Sequence, residues 1–429
     1  WPISFVAADP GVRIEMKRTT HENVRVAVTQ FTLMKGSAGS RRLELEAYKI
    51  LKNDLRLSEI FLQIEPNVYK NLEQKELGEN GVDLWAWHQL GAQWLIKAEY
   101  GIFNGKLSLT FRLYDTVSEK FLLGKRYSVT KNFLLRKIIH RYADELVLQL
   151  TGKRGVAETQ IAFLSRDNQN TEIFSIDFDG YNSKKITNDN TLNLTPAWSP
   201  TGRWLIYTSY AGNNPDLVMI DRYNKLQRRV LLHMSGLNAA PSWSPVDDRL
   251  CLVLSKDENS EIYILENNRK LRRLTRHFNI DTSPTWSPDG KKIAFTSDRS
   301  GRGAPQIYIM DALLGDKAGV ERISYNSSYN DNPAWSPDGD KIAYTARVGR
   351  QFQIKIYNLI TKNSTVFTKS IGNKEQPSWS PDGRFLAYRH KKGSTKQTYI
   401  QRLGSNKVRQ LTFGVGGGTN PSWSPYLKR

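Results

Sequence analysis

Over residues 24–31 apolar and polar side chains alternate in the run Val-Arg-Val-Ala-Val-Thr-Gln-Phe. A period of two with β-branched residues predicts a half-buried strand. Residues 36–40 interrupt it, and Leu45, Tyr48, Leu51 and Leu55 then recur at helical spacing. A second strand is expected over 60–65 and a short helix near 85–90. Residues 94–100 and 106–115 read as strands joined at Asn104-Gly105, a dipeptide suited to the left-handed backbone of a tight hairpin, and 120–129 adds a third. Leu135, Ile138, Ile139, Tyr142, Leu146 and Leu150 form one apolar helical stripe. It stops at Thr151-Gly152-Lys153-Arg154-Gly155, where glycine supplies a helix-ending conformation. This half predicts a small α/β domain.

Beyond it the pattern changes to a repeat. Pro284-Thr285-Trp286-Ser287-Pro288-Asp289-Gly290 returns with variation, its Trp falling at 198, 243, 286, 335, 379 and 423, at intervals of 45, 43, 49, 44 and 44 residues. Such a period marks four-stranded propeller blades. Seven residues after all but the last Trp a second apolar strand begins, as at Ile293-Ala294-Phe295 and Leu386-Ala387-Tyr388. A third follows, as at Ile307-Tyr308-Ile309, and a fourth ends in runs such as Leu274-Thr275 and Leu411-Thr412. Pro-Asp-Gly provides the fixed φ, side-chain acceptor and permissive φ of a tight turn, so Asp289, Asp338 and Asp382 read as turn residues and the Trp as packing. Ile161-Ala162-Phe163 has no Pro-x-Trp-Ser-Pro before it, and the copy at Trp423 has no strand after it. Pairing these two closes a six-bladed ring without open sheet edges. The fold class is therefore mixed: a small α/β domain followed by an all-β six-bladed propeller closed by the C-terminal strand.

Charge changes this picture little. The formal net charge is +20, but residues 1–155 hold 24 Lys+Arg against 17 Asp+Glu, and 156–429 hold 38 against 25. An excess spread so evenly, with only short clusters such as Arg389-His390-Lys391-Lys392, suits a basic surface better than a nucleic-acid interface. No run reaches the roughly 18 to 20 apolar residues of a membrane span. The single cysteine, Cys251, lies in an apolar run and reads as a buried thiol, one cysteine allowing neither an intramolecular disulfide nor a multi-thiolate metal site. Val6 and Ala8 suit a signal-peptidase site, so residues 1–8 read as the remainder of a signal peptide and imply export.

The sequence offers no catalytic constellation. Propellers with this repeat precede hydrolase domains in several peptidase families, but there is no Gly-x-Ser-x-Gly elbow. His21, His88, His140, His233, His277 and His390 are scattered without metal-ligand spacing. Asp177-x-Asp179-Gly180 opens like a calcium loop, but Asn188 stands where its last carboxylate ligand belongs. Neither metal nor organic cofactor is expected. The alternatives to a protein adaptor are a propeller protein of peptidase type and a peptidoglycan- or sugar-binding propeller.

Over nearly its whole length the chain resembles the TolB family of the Tol-Pal cell-envelope system of Gram-negative bacteria. The resemblance rests on the domain order, the junction Leu150-Thr151-Gly152-Lys153-Arg154-Gly155 leading to Gln160-Ile161-Ala162-Phe163, the run Asp177-Phe178-Asp179-Gly180-Tyr181-Asn182, and Pro421-Ser422-Trp423-Ser424-Pro425-Tyr426-Leu427. It implies a non-enzymatic periplasmic adaptor that binds the Pal lipoprotein through the propeller and TolA through an extended N-terminal segment. Such an adaptor supports outer-membrane invagination at division and envelope integrity, and serves as a route for some bacteriocins and phages. The Pal contacts it implies lie in the loops before each Pro-x-Trp, at Asn193, Leu237, Asn238, Asp281, Thr282, Asn330 and Asp331. Leu237 stands where some members carry a polar or basic residue. The TolA contacts it implies are Val12, Arg13, Ile14 and Glu15, of which Val12-Arg13-Ile14 matches the family's start. The expected organisation is 1–8 signal remnant, 9–152 α/β domain, 153–160 linker and 161–429 propeller, in a monomer peripheral to membranes.

Overall fold

A computed structural model of the chain describes residues 23–427, apart from 77–80, 131–133, 168, 213, 225–226 and 302. Val12, Arg13, Ile14 and Glu15 lie outside the described residues. Two compact units divide between Glu158 and Thr159. No helix among the described residues is long and apolar enough to cross a membrane.

In the first unit the strands β1 (Val24–Leu33), β2 (Phe61–Gln63), β3 (Trp94–Phe103), β4 (Lys106–Asp115) and β5 (Lys120–Val129) form one sheet in the order β2-β1-β3-β4-β5. β1 runs parallel to both neighbours, while β3, β4 and β5 form an antiparallel meander. Alternation along β1 sends Val24, Val26 and Val28 into one apolar cluster and Ala27 into another, the period-two consequence of strand geometry. Helices α1 (Arg41–Ser58) and α4 (Leu135–Thr151) cover the first cluster; α2 (Pro66–Glu76) and α3 (Leu84–Gln89) supply Tyr69 and Trp87 to the second. The hydrophobic pattern does not reveal α2, because Tyr69 and Glu76 are the buried residues in its 11-residue length. Glu76 is held by the Trp87 indole N–H at 2.9 Å and by Lys97 at 2.5 Å. His140 and Asp54 form a buried pair at 2.7 Å between α4 and α1. Gly152, with φ of 70°, caps α4 by donating to the Leu148 carbonyl. The following segment folds back onto the helix, where Asp144 accepts the backbone N–H groups of Ala157 and Glu158.

The second unit consists of six four-stranded antiparallel sheets. The inner strands of blades two to six are Asn193–Trp198, Asn238–Trp243, Asp281–Trp286, Asn330–Trp335 and Asn373–Trp379. Blade one takes Thr419–Trp423 as its inner strand and continues through Gln160–Asp167, Asn170–Asp177 and Lys184–Lys185. The expected closure is present, with Ser422 opposite Ala162 and Trp423 opposite Ile161. Gln160 N–H donates to the Ser424 hydroxyl, Ser424 N–H returns a bond to the Gln160 carbonyl, and the Trp423 indole donates to the Thr159 hydroxyl.

The Trp, Ser and Asp of the repeat have structural tasks in most of its copies. The indoles of Trp198, Trp286 and Trp379 donate to the carbonyls of Ser422, Ser242 and Ala334 on the preceding blade, so these rings join blades through a hydrogen bond as well as through packing. The motif serine closes its turn: the hydroxyls of Ser199, Ser287, Ser336 and Ser380 accept the N–H five residues on. Asp289 and Asp382 accept from that serine and from the backbone two residues later, as turn residues do. Cys251 is fully buried.

Candidate partner-docking end of the propeller

The inner strand of every blade runs in the same sense along the ring axis. The loop from each outer strand to the next inner strand therefore always lies at one end, beside the hairpin joining the second and third strands, while the Pro-Asp-Gly turns lie at the other. The loop-bearing end holds the seven propeller positions singled out from sequence, and the structure divides them into two groups.

Asn193, Asn238, Asp281 and Asn330 occupy equivalent places at the starts of inner strands and are fully buried. Asn193 donates to Glu172, and Asn330 to Gln306. Asn238 donates to the carbonyls of Pro215 and Met234, and Asp281 takes Arg299 at 2.8 Å. These four do not form an exposed rim. A short polar side chain at these strand starts ties the inner strand to neighbouring segments of its own and the preceding blade, a buried role rather than an exposed one. Leu237, Thr282 and Asp331 are half-buried and lie nearer the surface. Asp331 accepts hydrogen bonds from the Thr296 and Tyr329 hydroxyls.

A second buried device holds the loops. The side chain of Glu172, Glu261, Gln306, Gln353 or Gln397, beginning or near the start of the third strand in five blades, accepts a bond from Thr187, Thr275, Ser324, Thr368 or Thr412 respectively. The same hydroxyl accepts the backbone N–H of the residue after the Glu or Gln. The hydroxyl-bearing residue is the last of the Leu-Thr-type pairs seen in the repeat, and each stands at the foot of a loop. Above these feet the loops turn apolar side chains outward: Phe278 is 84 % exposed, Ile371 79 % and Phe413 75 %, with Leu192, Ile280 and Tyr325 also exposed. Large apolar side chains exposed on several loops at one end of the ring are candidates for contact with a partner. The sequence hides this crown because isolated apolar residues in loops follow no period; its signal is an apolar residue one to five positions after the buried Thr or Ser.

The ring's channel is a cavity of about 530 Å³ lined by the inner strands from the level of Thr195 toward the Trp-Ser-Pro turns. Thr195, Ala240, Ser283, Asn332, Gln376 and Asn420 line it at equivalent positions, each with φ between 47° and 60° and each followed by proline. Left-handed backbone is uncommon for residues other than glycine, and proline further restricts the residue before it. Six repetitions of that conformation define a bulge that breaks inner-strand pairing at one level around the ring. Hydrogen bonds cross between neighbouring blades at this level, from the Asn332 side-chain amide to the Ser283 hydroxyl and from Asn420 N–H to the Gln376 side-chain Oε1.

At the blade-six position equivalent to the buried amides stands Lys374. Its fully buried ammonium donates to the carbonyls of Ser370, Ile371 and Gly372. Burial pushes its pKa down from 10.5 to about 8. A lysine held below its ordinary value costs stability while both folded and unfolded chains are protonated. That cost fades as pH rises from about 8 toward 10.5, because only the unfolded chain still holds the proton there. Lys374→Asn, which installs the residue of three other blades, is therefore expected to gain stability relative to the natural chain at pH 7 and to lose much of that gain by pH 10. Denaturant unfolding at both values tests this, and a difference that does not shrink contradicts it.

The family described as TolB beta propeller domain matches residues 147–427, and the TolB amino-terminal domain matches 12–122. The Tol-Pal system protein TolB of Desulfosudis oleivorans is 41 % identical over 136 residues, 32 % of this chain and 31 % of that protein. The protein TolB homolog of Chlorobium chlorochromatii is 32 % identical over 299 residues, 70 % of this chain and 66 % of that one. The matched stretches thus span between about a third and two thirds of these relatives' length. The crystal structure of TolB from Acinetobacter baumannii superposes with a TM-score of 0.80 at 26 % identity, covering 94 % of this chain and 97 % of that one. With both halves matched in order by its family's two domains, the chain belongs to the TolB family.

Proposed function

We propose that this chain is a non-enzymatic adaptor of the Tol-Pal system in the periplasm, working as a monomer. In this reading it docks Pal on the loop-bearing end of the propeller and TolA through the N-terminal segment that includes Val12, Arg13, Ile14 and Glu15. It thereby supports outer-membrane invagination during division and the integrity of the envelope. The observation that carries the reading is the crown of exposed apolar tips on loops whose feet are fixed by buried polar clamps. Protein interfaces gain most of their affinity from a few large side chains held in place before the partner arrives. Asn193, Asn238, Asp281 and Asn330 act here as supports, whereas Leu237, Thr282 and Asp331 at the mouth join Phe278, Ile371 and Phe413 in contact. The family resemblance supplies the partners' names. Co-purification of the tagged chain from envelopes, with mass spectrometry of what it retains, tests the reading. Recovery of Pal is expected, and its absence from the retained proteins contradicts the proposal. Deletion of residues 9–20 is expected to remove TolA while leaving Pal; TolA retained by that variant contradicts the N-terminal assignment.

A further inference from the structure

The loop-bearing end is electrically one-sided. In blades five and six, as in blade one, the second and third strands are eight residues long, Lys341–Val348 with Gln351–Asn358 and Phe385–Lys392 with Thr395–Arg402, against five or six residues in blades two to four. Their tips and the loop between them carry Arg347, Arg350, Lys369, Lys391, Lys392 and Lys396. Hydrogen bonds show that these segments are neighbours. Gln353 donates to the carbonyls of Ser370 and Gly372, Phe352 N–H donates to Asn373, and His390 bonds the Ile371 carbonyl. The exposed Ile371 thus stands between two cationic hairpins. The nearest carboxylate in sequence, Glu375, pairs with Arg389, and none of the six cations pairs with a carboxylate among the described residues. On blade three, opposite blade six in the ring, the corresponding hairpin mixes Lys256 with Asp257 and Glu258.

Apolar tips spread over several loops of a six-bladed ring fix a partner's rotation only weakly, since apolar contact is not directional. An asymmetric charge pattern separates the rotational settings, because opposite charges attract over a longer range and like charges penalise the wrong settings. We propose that the cationic sector over blades five and six receives an acidic edge of the docked protein and fixes its rotation on the ring. This rests on the reading that a protein docks at this end, and adds the chemistry of the partner's complementary face. An acidic protein surface suits the sector better than a lipid bilayer, because a bilayer covering these tips would compete with the partner seated on the crown beside them.

The test is stopped-flow association of the full chain with purified Pal at several ionic strengths. Lys391→Glu with Lys392→Glu, both at a hairpin tip, is expected to slow association by about tenfold or more at low salt and to flatten its salt dependence. Glu258→Lys on blade three is expected to change it less than about twofold. Should the charge-reversed variant unfold early in a thermal melt, Lys391→Gln with Lys392→Gln serves instead and is expected to fall between the two. Equal rates and equal salt slopes in natural and sector variants overturn this inference while leaving the proposed function standing. A natural chain that does not bind Pal overturns both. Loss of binding to phosphatidylglycerol-doped vesicles in the sector variants, with Pal kinetics unchanged, would assign the sector to a membrane surface and overturn it as well.

Discussion

A chain truncated before Pro421 loses the cooperative unfolding of its propeller. The segment removed holds most of blade one's inner strand, pairing with Gln160–Asp167 through Ser422 and Trp423. It also removes the Trp423 ring from its contacts with Phe178 and Phe385. The Ser422 carbonyl that receives the Trp198 indole goes with it. Loss of a buried Trp alone costs about 3 to 5 kcal/mol, and each abandoned hydrogen bond about 1 kcal/mol more. Opening the ring also exposes a new sheet edge in blade one. Set against typical stabilities of about 5 to 15 kcal/mol, the truncation is expected to abolish or broaden the propeller's transition in calorimetry. The first unit need not follow, since its sheet and helices have their own cores. A propeller transition unchanged in midpoint and sharpness would contradict closure by the C-terminal strand.

Alanine at Phe278, Ile371 and Phe413 together is expected to weaken Pal binding by at least about a hundredfold, since large side chains at the centre of an interface commonly contribute about 1 to 3 kcal/mol each. All three are exposed, so little core packing is lost and the unfolding midpoint should stay near that of the natural chain. Asn330→Ala is the informative contrast. It strips a buried partner from Gln306 and is expected to cost about 1 to 3 kcal/mol of stability, weakening binding only through the loop that it holds. Titration calorimetry beside thermal unfolding separates the two classes. Full-strength binding by the triple variant would remove the crown from the interface.

The difference between those classes also explains what the sequence could reveal. Pro-x-Trp-Ser-Pro is local chemistry repeated, so blade count and turn geometry follow from residues close in the chain, and ring closure from the unmatched copies at the two ends of the array. The first unit's strands and its helices α1 and α4 follow from periods of two and of 3.6. Helix α2 does not, because a helix that buries only Tyr69 and Glu76 leaves no stripe to read. At the loop-bearing end the sequence points to Asn193, Asn238, Asp281 and Asn330 as an exposed rim, and the structure buries all four. Asn193, Asn238 and Asn330 look like surface turn residues until their partners, more than twenty residues away in the chain for Asn193 and Asn330, are seen to bury them. Lys374 carries no hint of burial, since a lysine is ordinarily exposed. The left-handed Thr195, Ala240, Ser283, Asn332, Gln376 and Asn420 go against local preference altogether, and only the pairing of each inner strand with its neighbour imposes that bulge.

The most direct test of where the partner sits is the hydrogen-exchange footprint of Pal on the full chain. Slowed exchange is expected in the loops at 187–192, 233–237, 274–280, 323–329, 367–372 and 411–418, which enter the inner strands, with the Pro-Asp-Gly turns at 288–290, 337–339 and 381–383 unaffected. Protection confined to those turns, or to the outer strands, would place the partner elsewhere and contradict the account.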